Sequence, residues 1–250
     1  MIITKELEKS YTDEVNIGPI DIKIPDEAIT SLVGPNGAGK STFLMMIGRL
    51  LEKDKGEITI ANLNIDYKKS EEIAKIISIL RQENHFVTRL TVRQLVGFGR
   101  FPYSKGRLNK KDEETIDRYI DFFDLRDLEN RYLDQLSGGQ RQRAYVAMVL
   151  CQETKYVLLD EPLNNLDVAR SVQMLKLLKK AAVEFKRTII LVLHDINFAS
   201  MYSDYICAMK DGKVIEFGKS NEIMKSHILT RIFDTEIQII DGPKGPVAIY

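Results

Sequence analysis

The chain has 250 residues, 36 of them basic and 36 acidic, so its formal charge at neutral pH is zero. Apolar residues make up 44% and charged ones 29%, the balance of a soluble globular domain that buries its core without disulfide or metal staples. That balance speaks against a nucleic-acid partner, which calls for an excess of Lys and Arg, and the longest apolar runs, AYVAMVLC and TIILVL, are too short to cross a bilayer.

In chain order, the opening MIITKELEKSYTDE is mixed and acidic and does not read as a signal peptide. Residues 2–9 and 16–24 alternate as strands, and AITSLV (28–33) is a short apolar strand. Thr42 to Leu51 has helical spacing, with Phe43, Met46, Ile47 and Leu50 on one face. GEITIA and IISILRQ read as further strands. From 91 to 151 the pattern turns helical, through TVRQLVGF, DEETIDRYIDFF and QRQRAYVAMVLC. Strand character then returns in YVLLDE, followed by the amphipathic helix SVQMLKLLKKAAVEF, with Val172, Leu175, Leu178 and Ala182 on one stripe. RTIILVL is the next strand, giving the αβ alternation of a parallel sheet. YICAMKDGKVIEFG reads as a hairpin whose Asp211-Gly212 pair takes the two positive-φ positions of a type I′ turn, and EIQIID with GPVAIY forms a last strand pair. Cys151 and Cys207 lie in apolar runs without metal spacing and read as core residues.

The stretch after the third strand carries the chemistry. Gly34-Pro35-Asn36-Gly37-Ala38-Gly39-Lys40-Ser41-Thr42 fits G-x-x-x-x-G-K-[ST], between a strand and a helix as that phosphate-binding motif requires. Glycines let the backbone close around phosphates with its N–H groups turned inward, and the helix start adds positive potential. Lys40 brings a point charge to the outer phosphates, and the Ser41 hydroxyl is a Mg²⁺ ligand in such loops.

Two more stretches belong with it. Asp160 and Glu161 close the strand YVLLDE, and Pro162 stops the ladder. Neighbouring strand side chains face opposite ways, so both carboxylates serve one site only if Glu161 is redirected at the strand's exit. Asp160 then holds Mg²⁺ and Glu161 orients the attacking water as general base. Leu136-Ser137-Gly138-Gly139-Gln140 precedes a helix, with Ser137 placed as N-cap and the glycine N–H groups open to an anion.

GPNGAGKST, LSGGQ, LLDEP and LVLHD, in this order, resemble the ATP-binding subunit of an ABC transporter over nearly the whole chain. The resemblance implies an α/β fold: a P-loop NTPase core with a mixed sheet (1–90 and 152–220), an antiparallel β subdomain, an inserted helical subdomain (91–151) and a C-terminal extension (221–250). It implies ATP and Mg²⁺ as ligands. Two copies pack head to tail, with each ATP between the phosphate loop of one and Ser137–Gln140 of the other. Tyr11 matches the adenine-stacking aromatic, Gln82 the glutamine that touches Mg²⁺ and senses the membrane partner, and His194 the switch histidine at the γ-phosphate. Asn165, Leu166 and Asp167 match the loop at the dimer seam. The partners implied are integral-membrane permease subunits and, through them, an extracytoplasmic substrate-binding protein, which places the chain on the cytoplasmic face of the cell membrane.

GFGRFPYSKGRLNKKDEE (97–114), DEPLNNLD and LVLHDINFASMYSDYICAMKDGKVIEFG are similar to the ATPases of iron-siderophore, haem and cobalamin importers. In that group the region after Gln82 lies against the permease, and Arg100, Phe101 and Tyr103 are candidates for the docking cleft. Leu163 stands where a threonine is common. Asn109-Lys-Lys-Asp112 fits the guanine-reading N-K-x-D pattern, but it follows SKGRL rather than an apolar strand and reads as a chance match at a helix start. Other cargoes, an exporter and a non-hydrolysing regulatory module are the alternatives; the intact Glu161 and His194 speak against the last.

Overall fold

The computed structural model describes residues 1–12, 15–82, 89–243 and 245–250. The first elements are β1 (Ile2–Ser10), β2 (Asn16–Ile24), β3 (Ile29–Val33), α1 (Lys40–Ile47), β4 (Lys55–Ile60), β5 (Leu63–Asn64), α2 (Ser70–Ile73) and β6 (Ile77–Leu80). Then come α3 (Val92–Phe98), α4 (Phe101–Ser104), α5 (Lys110–Phe122), α6 (Gly138–Cys151), β7 (Tyr156–Leu159) and α7 (Val168–Glu184). The last are β8 (Thr188–Val192), α8 (Ile196–Tyr202), β9 (Tyr205–Lys210), β10 (Lys213–Lys219), α9 (Ser220–Ile223), α10 (Ser226–Phe233), β11 (Gln238–Gly242) and β12 (Gly245–Ile249). They fall into two compact units, one of residues 1–68 with 182–250 and one of residues 69–181.

In the first unit, β2, β1, β4 and β5 form an antiparallel sheet in that order. The period-2 pattern of IDIKI explains it: Ile20, Ile22 and Ile24 are buried while Asp21 and Lys23 face out. Ile2 pairs with both Ile24 and Ile60, which brings three isoleucines to one buried patch. A second, mixed sheet sets β3 between two parallel neighbours, β8 and β9, and β10 returns antiparallel beside β9. β3 and β8 are buried along their whole length, as befits strands covered on both faces. The β9–β10 turn has positive φ at Asp211 (48°) and Gly212 (76°), as its sequence requires.

Helix α1 starts earlier and stops sooner than its pattern predicts. Gly48 ends it and Arg49 turns left-handed (φ 55°). Phe43, Met46 and Ile47 are buried, but Leu50 lies past the end of the helix and is 53% exposed. At the C-terminal end, two side chains of α8 hold the β11–β12 hairpin: Ser200 Oγ donates to the Pro246 carbonyl (3.4 Å), and Asn197 bonds Ala248 twice. Asn197 Nδ2 donates to the Ala248 carbonyl (3.1 Å), and Ala248 N–H donates to Asn197 Oδ1 (2.8 Å). The amide thus imitates the neighbouring strand that β12 lacks on that side.

In the second unit, β6 and β7 run parallel and in register, Leu80 opposite Leu159. Helices α3, α5 and α6 share a core that includes Leu95, Val96, Ile116, Ile120, Phe123, Val146 and Ala147. On the outside, Arg93 bonds Glu113 (2.7 Å), Asp117 (2.8 Å) and Glu129 (2.9 Å), joining α3 to α5. The buried side of α7 is Ser171, Met174, Leu175, Leu178, Ala181 and Ala182, with Val172 at its edge. Both cysteines are buried, and burial pushes each thiol up to about 12, which makes them inert core residues.

Arg100 corrects the expectation of a docking residue. It is only 5% exposed: Nε donates to Asp112 (2.9 Å) and Nη1 to the Cys151 carbonyl (3.0 Å). Its guanidinium also lies 4.4 Å from the centre of the Tyr103 ring. Phe101 and Tyr103 remain at the surface, 58% and 40% exposed. Asn109 and Asp112 are a reciprocal helix cap for α5: Asn109 Oδ1 accepts from Asp112 N–H (3.1 Å), and Asp112 Oδ2 from Asn109 N–H (3.1 Å). The resemblance to a guanine-reading motif is therefore a capping box.

Candidate active site

Each unit gathers its own share of the candidate residues, and in both the means is strand register. In the first unit, Leu32 on β3 lies opposite Val192 on β8, and the ladder continues with Leu193 N–H on the Leu32 carbonyl (3.0 Å). Beyond the ends of these adjacent parallel strands come Gly34, which opens the phosphate loop, and the exposed His194. Ligands in α/β sheets sit at such carboxyl ends.

Within the loop the glycines have separate reasons. A Cβ on Gly34 would run into the Met209 carbonyl oxygen, so this residue is needed for close approach to β9. Gly37, at φ 79°, would send a Cβ into open space, so its side is clear for a ligand. Gly39 is the N-cap of α1. Lys40 is 5% exposed and curls its ammonium over the loop, donating to the carbonyls of Gly34 (2.9 Å) and Pro35 (2.7 Å). Ala38 N–H turns onto the Pro35 carbonyl (3.3 Å), which closes the loop over Asn36 and Gly37. Ser41 and Thr42 occupy the first turn of α1, half-buried. Tyr11 is 53% exposed, and its hydroxyl lies 3.3 Å from Thr42 Oγ1, which puts the ring beside the start of that helix. The residue after His194 is Asp195, whose carboxylate caps α8 by accepting from the Asn197 (2.7 Å) and Phe198 (3.1 Å) N–H groups.

In the second unit, Asp160 N–H donates to the Leu80 carbonyl (2.9 Å), one step beyond the register of β6 with β7. Asp160 is 1% exposed. The chain then turns, and the turn is made at Glu161 itself, which takes a left-handed backbone (φ 49°) before Pro162. This supplies the redirection that a carboxylate pair in adjacent strand positions needs. Gln82, past the end of β6, donates from Nε2 to Glu161 Oε2 (2.8 Å), and Asn164 Nδ2 donates to the same oxygen (2.5 Å). Asn164 was not among the sequence candidates, because an Asn in a loop carries no signal until the turn that folds it back is known. The stretch just after Gln82, residues 83–88, which the resemblance sets against a permease, lies outside the described residues.

The LSGGQ segment and the Asn165–Asp167 loop meet in this same unit. Ser137 caps α6: Oγ accepts from Gln140 N–H (3.4 Å), and Gln140 Oε1 accepts from Ser137 N–H (3.0 Å). Ser137 and Gly138 are exposed, while Gly139 is buried against Arg170. A hollow of about 150 Å³ is lined by Ser137, Gly139, Gln140, Leu166 and Arg170 among others. Asp167 caps α7, accepting from Arg170 N–H (2.8 Å), and Asn165 is left-handed (φ 61°). Gln142 on α6 donates to the Pro162 carbonyl (2.9 Å), tying the signature helix to the Glu161 turn.

The donor sets fit phosphate and Mg²⁺. The loop presents backbone amides, a lysine and an open face at Gly37. Ser41 in the first unit, and Gln82 and Asp160 in the second, each carry a side-chain oxygen, the hard donor type that Mg²⁺ prefers. Among the described residues no cluster of three or more His, Cys, Asp or Glu side chains could hold an ion by protein ligands alone.

Residues 17–164 match the sequence profile of the ABC transporter family. The chain belongs to the ABC transporter family. It is 68% identical over 250 residues to the petrobactin import ATP-binding protein FatE of Bacillus anthracis, covering all of both chains. It is 48% identical to the petrobactin import ATP-binding protein YclP of Bacillus subtilis (strain 168), over all of this chain and 99% of the relative. Among solved structures, cbiO1 of Clostridium perfringens, part of the ABC transporter complex cbiONQ, superimposes with a TM-score of 0.80 at 29% identity, covering 92% of each chain. A dimeric ATP-binding cassette bound to ADP and Pi matches at 0.77 and 29% identity, over 88% of this chain and 99% of that one. The α/β P-loop NTPase fold with its mixed and antiparallel sheets is thereby established, and no described helix is long and apolar enough to cross a membrane.

Proposed function

We propose that the chain is the ATP-binding and hydrolysing subunit that powers import of iron–siderophore complexes, with petrobactin-type siderophores as the cargo. The observation that carries this is the full-length 68% identity to a petrobactin import ATP-binding protein, in a chain that carries GPNGAGKST, LSGGQ, LLDEP and LVLHD in order. Residues 1–90 and 152–220 act as catalytic core, 91–151 as the signature-bearing helical part and 221–250 as an extension. The chain works at the cytoplasmic face, bound to permease subunits that in turn meet an extracytoplasmic substrate-binding protein. Phe101 and Tyr103 contribute to the permease contact.

The chemistry is positioning plus charge. Tyr11 stacks on the adenine, worth roughly 1–3 kcal/mol by analogy with other base–aromatic contacts. The amides of residues 34–42 and the Lys40 ammonium bind the phosphates. Ser41, Gln82 and Asp160 would hold Mg²⁺, which when bound neutralises phosphate charge. Glu161 orients and polarises the attacking water, and His194 contacts the γ-phosphate. Ser137, Gly138, Gly139 and Gln140 of a second copy complete the enclosure, with Asn165, Leu166 and Asp167 at the seam. The exposure of Ser137 and Gly138 in the single chain supports this reading. Loss of the γ-phosphate weakens the seam, so the nucleotide state sets the dimer's state.

The test is uptake into vesicles that carry the co-purified permease and the extracytoplasmic binding protein. ATP on the cytoplasmic side should drive inward movement of ferric petrobactin, and E161Q should abolish it. Transport that persists undiminished in E161Q contradicts the proposed chemistry; ATP turnover stimulated by a different cargo contradicts the proposed specificity.

A further inference from the structure

We propose that Asn164 is the positioning residue for the Glu161 carboxylate. The inference rests on the reading of Glu161 as the group that orients the attacking water. Glu161 Oε2 accepts two amide N–H groups, from Gln82 (2.8 Å) and from Asn164 (2.5 Å). An ionised carboxylate only accepts hydrogen bonds, so it is the NH₂ end of each amide that faces it. Two donors on one oxygen fix the rotation of the carboxylate and with it the direction of the other oxygen.

The two donors are not equivalent. Gln82 is exposed and lies beyond the end of β6. Asn164 is half-buried and belongs to the same tight turn as its acceptor: Asn164 N–H donates to the Glu161 carbonyl (3.2 Å). That turn begins with the left-handed Glu161 and is pinned in the middle by Gln142 on the Pro162 carbonyl (2.9 Å). Asn164 therefore holds Glu161 from a rigid frame, and it goes on holding the carboxylate when Gln82 engages another ligand. A residue kept left-handed without being glycine needs such surroundings to persist.

The experiment measures ATP turnover of the chain assembled with its permease, for wild type, E161Q, N164A, N164S, N164D and the N164A/E161Q double variant. N164A should lower kcat roughly 10- to 100-fold, the scale of one lost hydrogen bond to a charged group, with KM for ATP within about twofold. N164S keeps a donor and should recover part of the loss. N164D has the shape of Asn but sets a second carboxylate against Glu161, so it should fall at least as far as N164A. In the E161Q background the N164A change should leave the residual rate within about twofold, because the two act as one unit. Wild-type kcat in both N164A and N164D, or an equal loss from N164A with and without E161Q, overturns the positioning role while the function stands. Full turnover by E161Q overturns the reading of Glu161 and the inference with it.

Discussion

Arg100 and Asp112 show how much one buried pair contributes to the second unit. Both side chains are nearly inaccessible, 6% and 3%, and each completes the other's hydrogen bonding. D112N leaves the guanidinium buried with Glu153 (3.2 Å) as its one remaining charged partner among the described residues. Breaking such a pair costs about 3–5 kcal/mol, so the denaturant midpoint of D112N should drop accordingly at pH 7. Burial pushes the Asp112 carboxyl up, but the Asn109 N–H and the Arg100 guanidinium outweigh it and hold the group below the usual carboxylate range. A depressed folded value stabilises the fold above the unfolded value of about 4 and loses that contribution as pH falls through the folded one. The gap between wild type and D112N should therefore narrow in titrations taken well below pH 4. At the phosphate loop, K40A removes a charge that bonds two loop carbonyls, and calorimetry should show ATP affinity lower by roughly 10- to 100-fold. Lys40 was legible in the sequence because the motif fixes both its spacing and its chemistry. Arg100 was not, since a basic residue between aromatics looks alike on a docking face and in an ion pair; only the fold brings Asp112 and the Cys151 carbonyl to it.

At the scale of elements, local sequence rules carried far. The Asp211-Gly212 turn, the Ser137 cap and the alternation of β2 all follow from side chains acting on their own neighbourhood. S137A should cost about 1 kcal/mol of stability, readable in thermal melts, since it removes the cap of α6. What the pattern missed was set by backbone states and contacts that periodicity does not report. The early end of α1 comes from Gly48 and Arg49, which override a stripe that extends to Leu50. The redirection at Glu161 is a backbone state that no periodicity reports. The β11–β12 hairpin is another case: its strands were visible, but not the amide of Asn197 that reads both polar groups of Ala248. N197L should loosen that hairpin selectively. Hydrogen exchange at β11 and β12 should speed up while β3 and β8 stay protected, with a stability loss of about 1–2 kcal/mol.

For the whole molecule, the account turns on incompleteness. The phosphate-loop motif, His194, the Asp160–Glu161 pair and the LSGGQ segment are present in one chain, yet Ser137 and Gly138 face solvent. A second copy bringing these residues to the nucleotide explains that exposure. The most direct test is the mass of E161Q in solution, measured by light scattering with and without saturating ATP and Mg²⁺. The account predicts a single-chain mass without nucleotide and a two-chain mass with it, reverting to one chain in an S137R/E161Q double variant. An E161Q chain that stays monomeric at saturating ATP while hydrolysing it at the wild-type rate contradicts the account.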